Sequence, residues 1–343
     1  MNEQLLKKKY EEYIKLKLRQ KQIEEEKQKL LQQSSENKTD EQPTTNKDVP
    51  VWKSVSKGIK DGMSNNTLYV TSFNKAMYDL SGVHLLKTWV QYNPKQYLLV
   101  CYEDMKLRST NKEIIPYDLS ESEFLKSWLK KYENDIPFEY GGKATPQNNP
   151  DLYDNYFNKS ASKWFRKIVS IDYAIKTYGR FFNHVVWIDA DCYIKNPMPK
   201  MLSSQIFKTA HMIYHLSPKR RRNNQGIESG IIGFRKGLGY DLMEIVTNKF
   251  KTGEFKKYSR WDDGWIFREV VDEQTKLNKK RANDKLAYMV DLVITMNDNK
   301  SVRSEVIPYG PYGNFVVHDK GKHNELRGHK IKKKNYNKGF KGN

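Results

Sequence analysis

Cysteine is almost missing: the 343-residue chain has two, Cys101 and Cys192. Two thiols cannot build a Cys-based zinc site. Both lie inside apolar runs, the setting of buried thiols in a reducing compartment rather than of a disulfide framework. Long hydrophobic runs are missing too, and none approaches the ~18 residues that a membrane-crossing helix needs. The opening segment MNEQLLKKKYEEY carries no apolar stretch of the signal-peptide kind. These absences create the expectation of a cytoplasmic protein, bacterial or in a virus-infected host cytosol, with no signal peptide and no transmembrane segment. Acidic residues are in deficit, 41 Asp and Glu against 61 Lys and Arg, for a net charge of +20. The excess runs along the whole chain and is densest at its C-terminal end. It favours anionic partners, whether nucleotide phosphates, nucleic acid or an acidic membrane surface. Hydrophobic residues make up 37% and aromatics 13%, enough for a core, so full disorder is excluded.

Residues 3–33 are nearly all Glu, Lys, Gln and Leu, without Gly or Pro. Pairs such as Glu11 with Lys15 and Glu25 with Lys29 support a helix. Leu16, Ile23 and Leu30 repeat at the heptad spacing, but Gln20 and Lys27 between them are polar. The segment 1–33 therefore reads as a charged helix, with a weak coiled coil, self-association or tethering as its alternative use. Residues 34–66, rich in Ser, Asn, Thr and Lys, read as a flexible linker. A catalytic domain is expected over 67–325 and a basic disordered tail over 326–343. Within the domain, LYVTSF (68–73) reads as a buried strand, and Leu80, Val83, Leu86 and Val90 have helical spacing. QYLLVCYED (96–104) is a second strand, which makes a β-α-β unit with parallel strands. Ser120 to Glu123 has the pattern of a capping box. A helix is expected from about Ser160 to Tyr178, with Gly179 as its stop. HVVWID (184–189) is the clearest central strand. Strands at 209–215, 227–234 and 314–319 and helices near 238–250 and 262–273 complete an α/β sandwich with a mostly parallel sheet. There is no internal repeat.

Two segments carry chemistry. In VVWIDADCYIKNP (185–197) an apolar strand delivers Asp189 and Asp191 at its C-terminal end, the edge where open α/β sheets bind ligands. In extended backbone, residues i and i+2 face one side, so both carboxylates can serve one site. Two like charges there call for a counter-ion, and a hard divalent cation with oxygen ligands is the natural one. An acid-rich turn without metal is the plain alternative. FVVHDKGKH (315–323) repeats the layout: an apolar strand, then His318, Lys320, Gly321, Lys322 and His323. A neutral imidazole suits borderline cations such as Mn²⁺, and lysines beside it suit phosphate.

The Asp-x-Asp element after a hydrophobic strand, followed by Asn196-Pro197, resembles the nucleotide-sugar-dependent glycosyltransferases of the GT-A fold. The resemblance covers roughly residues 67–325. It implies a Rossmann-like α/β/α sandwich in which Thr71, Ser72 and Phe73 end the first strand against the nucleotide. Glu103 would lie near the base. SKWFRK (162–167) is similar to the helix start that contacts nucleotide or sugar, here through Arg166 and Lys167. Glu228 to Gly233, ESGIIG, is similar to the strand lining the sugar pocket, with Ser229 and Gly230 in contact. Ala190 lies between the two aspartates. His318 with Gly321 and Lys322 resembles the His-x-x-Gly-x-Lys element of some retaining members, in which the His completes the metal site and the Lys touches phosphate.

The resemblance implies Mn²⁺ or Mg²⁺ held by Asp189, Asp191 and His318, a nucleoside-diphosphate sugar, UDP-sugar first, as donor, and a glycan, protein or lipid-linked acceptor. An inverting enzyme would also need a carboxylate base. SRWDDGWI (259–266) offers Asp262 and Asp263, with helix capping as their plain alternative, and Glu228 stands in reserve. Retention and inversion stay open. Two other functions compete: a basic nucleic-acid-binding protein, and a metal-dependent nucleotidyl- or phosphotransferase. The first lacks any compact basic-aromatic motif and the second lacks a P-loop.

Overall fold

The structure, a computed structural model, describes residues 67–137, 142–145, 147–149, 159–207, 210–216, 220, 223–280, 289–291 and 307–319. The segments expected as charged helix (1–33), linker (34–66) and basic tail (326–343) lie outside the described residues.

The described residues open with β1 (Thr67–Asn74), a run of β-branched and aromatic residues buried along most of its length. A π-helical turn at Tyr78–Gly82 leads into α1 (Val83–Tyr92). Then come β2 (Leu98–Glu103), β3 (Ile114–Asp118), α2 (Glu123–Lys131) and the long α3 (Ala161–Tyr178). The strand expected from HVVWID is β4 (His184–Ile188), buried at every position. It is followed by β5 (Cys192–Ile194), α4 (Leu202–Phe207), β6 (Met212–His215) and β7 (Glu228–Arg235). The chain continues through α5 (Leu238–Thr252), α6 (Asp263–Lys280), β8 (Met289–Asp291) and β9 (Val316–His318).

Seven strands form one sheet in the order β3-β2-β1-β4-β7-β6-β8. β7 alone runs against its neighbours, and the other six are parallel. This is the α/β, mostly parallel sheet expected from the alternation of strands and helices. The order turns back between β1 and β4, so a crevice opens at their C-terminal ends. β5 and β9 pair antiparallel as a separate ribbon, Cys192 opposite His318. Among the described residues no helix is long and apolar enough to cross a membrane.

Each sheet face has its own apolar layer. On one, α2, α3, α5 and α6 pack through Phe165, Ile168, Ile171, Phe250 and Phe267 onto Val70, Val185 and Trp187. On the other, Leu85 and Trp89 of α1 and Phe207 of α4 meet Tyr69, Val186 and Ile188. Three details differ from the sequence reading. α2 is capped by Ser122, whose hydroxyl accepts from Leu125 N at 3.2 Å, while Asp118 accepts from Ser120 N. The reason is that Leu119–Glu121 forms its own 3-10 turn before the helix. Gly179 ends α3 with ordinary right-handed dihedrals. A side chain there would strike Ile175 O and the Tyr240 ring, so close packing rather than a left-handed turn requires the glycine. β3 lies at the sheet edge, where Pro116 costs no ladder hydrogen bond.

Trp128 is the hub of the helical layer. It stacks on Phe165 at 4.1 Å between ring centres, abuts Phe255 and Tyr132, and donates its indole N–H to Phe250 O at 2.9 Å. Trp128→Ala is expected to cost about 3–5 kcal/mol, the range for deleting a buried aromatic. Urea unfolding checks this, and a loss below about 1 kcal/mol would show that the hub is dispensable.

Candidate active site

α3 precedes β4 and runs back along the sheet, so its first turns lie beside the C-terminal end of that strand. Lys167 leaves this part of the helix and is buried. Its ammonium lies 2.8 Å from Asp189 Oδ1, 2.7 Å from Asp263 Oδ2, 3.0 Å from Ser229 O and 3.1 Å from Ser229 Oγ. It therefore joins α3, the end of β4, the start of β7 and the start of α6. Burial alone would lower the pKa of this ammonium, but the Asp189 and Asp263 carboxylates together hold it above its ordinary value. Trp187, two residues before Asp189, donates its indole N–H to the same Oδ1 at 2.6 Å. One oxygen of Asp189 is thus fixed by two donors, and Oδ2 is turned towards His318, 4.0 Å from Nε2.

Asp191 and His318 meet through the small ribbon. His318 Nε2 is 3.1 Å from Asp191 Oδ1, and Asp319 N donates to Asp191 O at 2.9 Å. Burial would raise the Asp191 pKa. The hydrogen bond and charge of His318, and then Lys167, outweigh it and hold the carboxyl below its ordinary value. Gly230 makes this approach possible. A Cβ there would lie 3.0 Å from His318 Cε1 and 2.9 Å from Ile307 Cδ1, closer than packed carbons come. Gly230 O also accepts from Asp189 N, which locks the turn after β4. One donor atom from each of Asp191, Cys192 and His318 lies within 4.8 Å of the others. Cys192 is packed in the apolar layer with Ile194 and Val316. The carboxylates and the imidazole form an oxygen and nitrogen donor set that fits a hard-to-borderline divalent cation.

The other residues singled out from the sequence fall around this centre. β1 and β2 are in register, with Asn74 level with Glu103, so Ser72 and Phe73 end beside Glu103. The Glu103 carboxylate pairs with Arg166 Nε, and Arg166 also donates to Ser162 O at 2.8 Å. The two residues expected at the nucleotide therefore meet each other. Thr71 is buried, and its hydroxyl has no hydrogen-bond partner among the described residues. Ala190 is buried between the aspartates.

The three carboxylates considered as bases all face cations. Glu228 is buried against Arg220, Nη1 to Oε2 at 2.9 Å. Asp262 accepts from Arg260 Nε at 2.7 Å and caps α6 by accepting from Trp265 N at 3.1 Å. Desolvation raises its pKa, with Arg260 acting in the opposite sense. Asp263 is committed to Lys167. Gly226 and Gly264 let the chain before β7 and the start of α6 touch backbone to backbone, with Ile227 N donating to Gly264 O at 2.8 Å. Lys320, Gly321 and Lys322 lie outside the described residues. The sequence does not single out Trp187 as part of the site, marks Arg220 only as part of a basic loop that could lie near phosphate, and marks Lys163 only within SKWFRK (162–167). The i,i+4 spacing of Lys163 and Lys167 was the available signal.

No family model matches the chain, and no curated protein sequence matches it. Among solved structures, mouse xyloside xylosyltransferase 1 in its apo form is similar over 66% of this chain and 84% of its own, at 10% identity and a TM-score of 0.36. So distant a likeness says nothing of substrate or reaction.

Lys167→Met would leave two carboxylates facing each other across a buried gap. It is expected to cost about 3–5 kcal/mol. Adding Asp189→Asn and Asp263→Asn should recover more than half of that loss, because the uncompensated charges leave with it. Chemical denaturation of the single and triple variants measures both. Equal instability of the two would mean that packing of the lysine stem, not charge, is what matters.

Proposed function

We propose that this chain is a metal-dependent glycosyltransferase that moves a sugar from a nucleoside-diphosphate sugar, UDP-sugar first, to a hydroxyl of a glycan, protein or lipid-linked acceptor. One observation carries the reading. Asp189 and Asp191 emerge at the C-terminal end of a parallel strand, at the point where strand order reverses, and His318 comes from a distant segment to 3.1 Å from Asp191.

Asp191 and His318 would hold Mn²⁺ or Mg²⁺, with Asp189 Oδ2 joining directly or through ribose and water. A bound cation of this kind supplies Lewis-acid neutralisation of the charge that grows on a leaving diphosphate. The chain's own residues do the rest. Lys167 and Trp187 fix Asp189 so that one oxygen stays turned to the site. Gly230 gives His318 the room to reach Asp191. The Arg166 and Glu103 pair would meet the nucleoside, and Ser229, held by Lys167, would line the sugar pocket. Asp262, Asp263 and Glu228 are each engaged by a cation, Arg260, Lys167 and Arg220 in turn. Their part is to hold Arg260, Lys167 and Arg220 in place, and the stereochemistry is read from the product.

A donor panel tests the reading. UDP-, GDP-, dTDP- and CMP-sugars are incubated with the protein, with and without Mn²⁺, and nucleotide release is followed. Release of free nucleoside diphosphate from one donor, dependent on metal and lowered by about 100-fold or more in Asp191→Asn, is the expected outcome. From the UDP-, GDP- or dTDP-sugars, monophosphate or pyrophosphate as product would move the site to nucleotidyl or phosphoryl transfer. No release and no nucleotide binding with any donor would refute the enzyme reading.

A further inference from the structure

The segment before α6 carries a guanidinium with donors to spare. Arg260 gives its Nε–H to Asp262 Oδ2 at 2.7 Å. Asp262 is itself fixed, because its other oxygen accepts from Trp265 N at 3.1 Å and caps α6. The guanidinium carbon lies 5.5 Å from the Trp265 ring centre, so the group rests on a buried indole. The side chain is still 27% exposed. Among the described residues Nη1 and Nη2, the end edge of the fork, have no hydrogen-bond partner.

The other arginines held near the crevice are spent differently. Arg220 gives Nε to Gly226 O, Nη1 to Glu228 and Nη2 to Ile227 O. Arg166 gives Nε to Glu103 and Nη1 to Ser162 O. Arg268 gives Nη1 to Asn224 and to Gln225 O. In each of them the Nη1 and Nη2 edge is already engaged. Arg260 keeps that edge whole, and it is an edge that takes a carboxylate by two parallel hydrogen bonds.

Its place follows from the chain. Asp262 is followed by Asp263, which reaches the Lys167 ammonium at 2.7 Å, and that ammonium reaches Asp189 at 2.8 Å. The start of α6 is also tied to the chain before β7, through Ile227 N and Gly264 O. Along the strand order β2-β1-β4-β7, Glu103 stands at the β2 end of the crevice, Asp189 at β4 and Ser229 at β7. Arg260 therefore belongs to the end away from Glu103, where the sugars and not the nucleoside would lie. A carboxylate on its free edge would give Arg260 what Lys167 already has, one cation between two carboxylates. A phosphate dianion would set a second charge beside Asp262.

We propose that Arg260 selects a carboxylate on a sugar handled at this site, so that one of the two sugars, on the donor or on the acceptor, is acidic and of the uronic kind. The inference rests on the reading of this site as a nucleotide-sugar site and narrows its substrate class. Arg260 is then a specificity-determining residue, and Asp262 positions it.

The experiment uses the full chain with Mn²⁺, as wild type, Arg260→Gln and Arg260→Lys. In the donor arm, calorimetry compares UDP-glucuronate with UDP-glucose. In the acceptor arm, with UDP present, a glycan array compares carboxylate-bearing glycans with neutral and sulfated glycans of the same skeleton. The wild type should prefer the carboxylate in one arm by roughly tenfold, the scale of a charge-assisted hydrogen bond, and that arm identifies the acidic sugar. Arg260→Gln should abolish the preference. Arg260→Lys keeps a cation for Asp262 but not the fork, and should keep only part of it. Paired ligands share one skeleton, so a general loss of folding weakens both and leaves their ratio unchanged. Should Arg260→Gln bind neither member of a pair, Arg260→Lys decides, and an undiminished preference there overturns the inference. UDP binding by the wild type with no preference in either arm, a preference for sulfate, or a preference that survives Arg260→Gln overturns it too, while the nucleotide reading stands. A wild type that binds neither UDP nor either donor brings down the nucleotide reading and this inference with it.

Discussion

A single ammonium group, buried between two carboxylates, holds the site together. Lys167 draws Asp189 at the end of β4 and Asp263 at the start of α6 to within hydrogen-bonding distance of one point, and Ser229 of β7 closes the cluster. An uncompensated charge at that depth would be costly, so none of the three side chains can move alone. The crevice therefore inherits its shape from a charge constraint. Asp189 keeps one oxygen turned outwards because the other is taken, and the start of α6 stays against β7 because Asp263 anchors it.

The fold brings these pieces to one edge for simple reasons. Parallel strands end on the same side, and reversal of strand order between β1 and β4 keeps the neighbouring connections from filling the gap there. β7 runs the other way and so starts where β4 ends, which brings Glu228, Ser229 and Gly230 to the same place. The two-stranded ribbon does the remaining work. Pairing of Cys192 with His318 lets the second aspartate and a histidine from the end of the described chain share a hydrogen bond. The helices on the far face, gathered around Trp128, set the depth of α3 and with it which lysine is buried.

Much of this was legible in the sequence, for identifiable reasons. β4 and its aspartates stand out because four apolar residues precede two acids. His318 stands out because FVVHD repeats that layout. The alternation of strands and helices implied the mostly parallel sheet. What could not be read depends on long-range pairing. Glu228 and Asp262 look like free acids in one dimension, and only the folded chain brings Arg220 and Arg260 to them. Lys163 and Lys167 share a helix face, yet spacing says nothing of how deep the helix lies, so burial of one and exposure of the other stayed hidden. β3 carries Pro116, and only its edge position makes the proline harmless. Ser120 looks like the cap of α2 in one dimension because the 3-10 turn before that helix leaves no mark in composition.

The most direct measurement is anomalous diffraction at the manganese edge from crystals grown with MnCl₂ and UDP. The account predicts one anomalous peak between the Asp191 carboxylate and His318 Nε2, with the diphosphate beside it and Lys167 still buried between Asp189 and Asp263. Nucleotide bound elsewhere, or no peak while Asp191 and His318 remain hydrogen-bonded to each other, would contradict it.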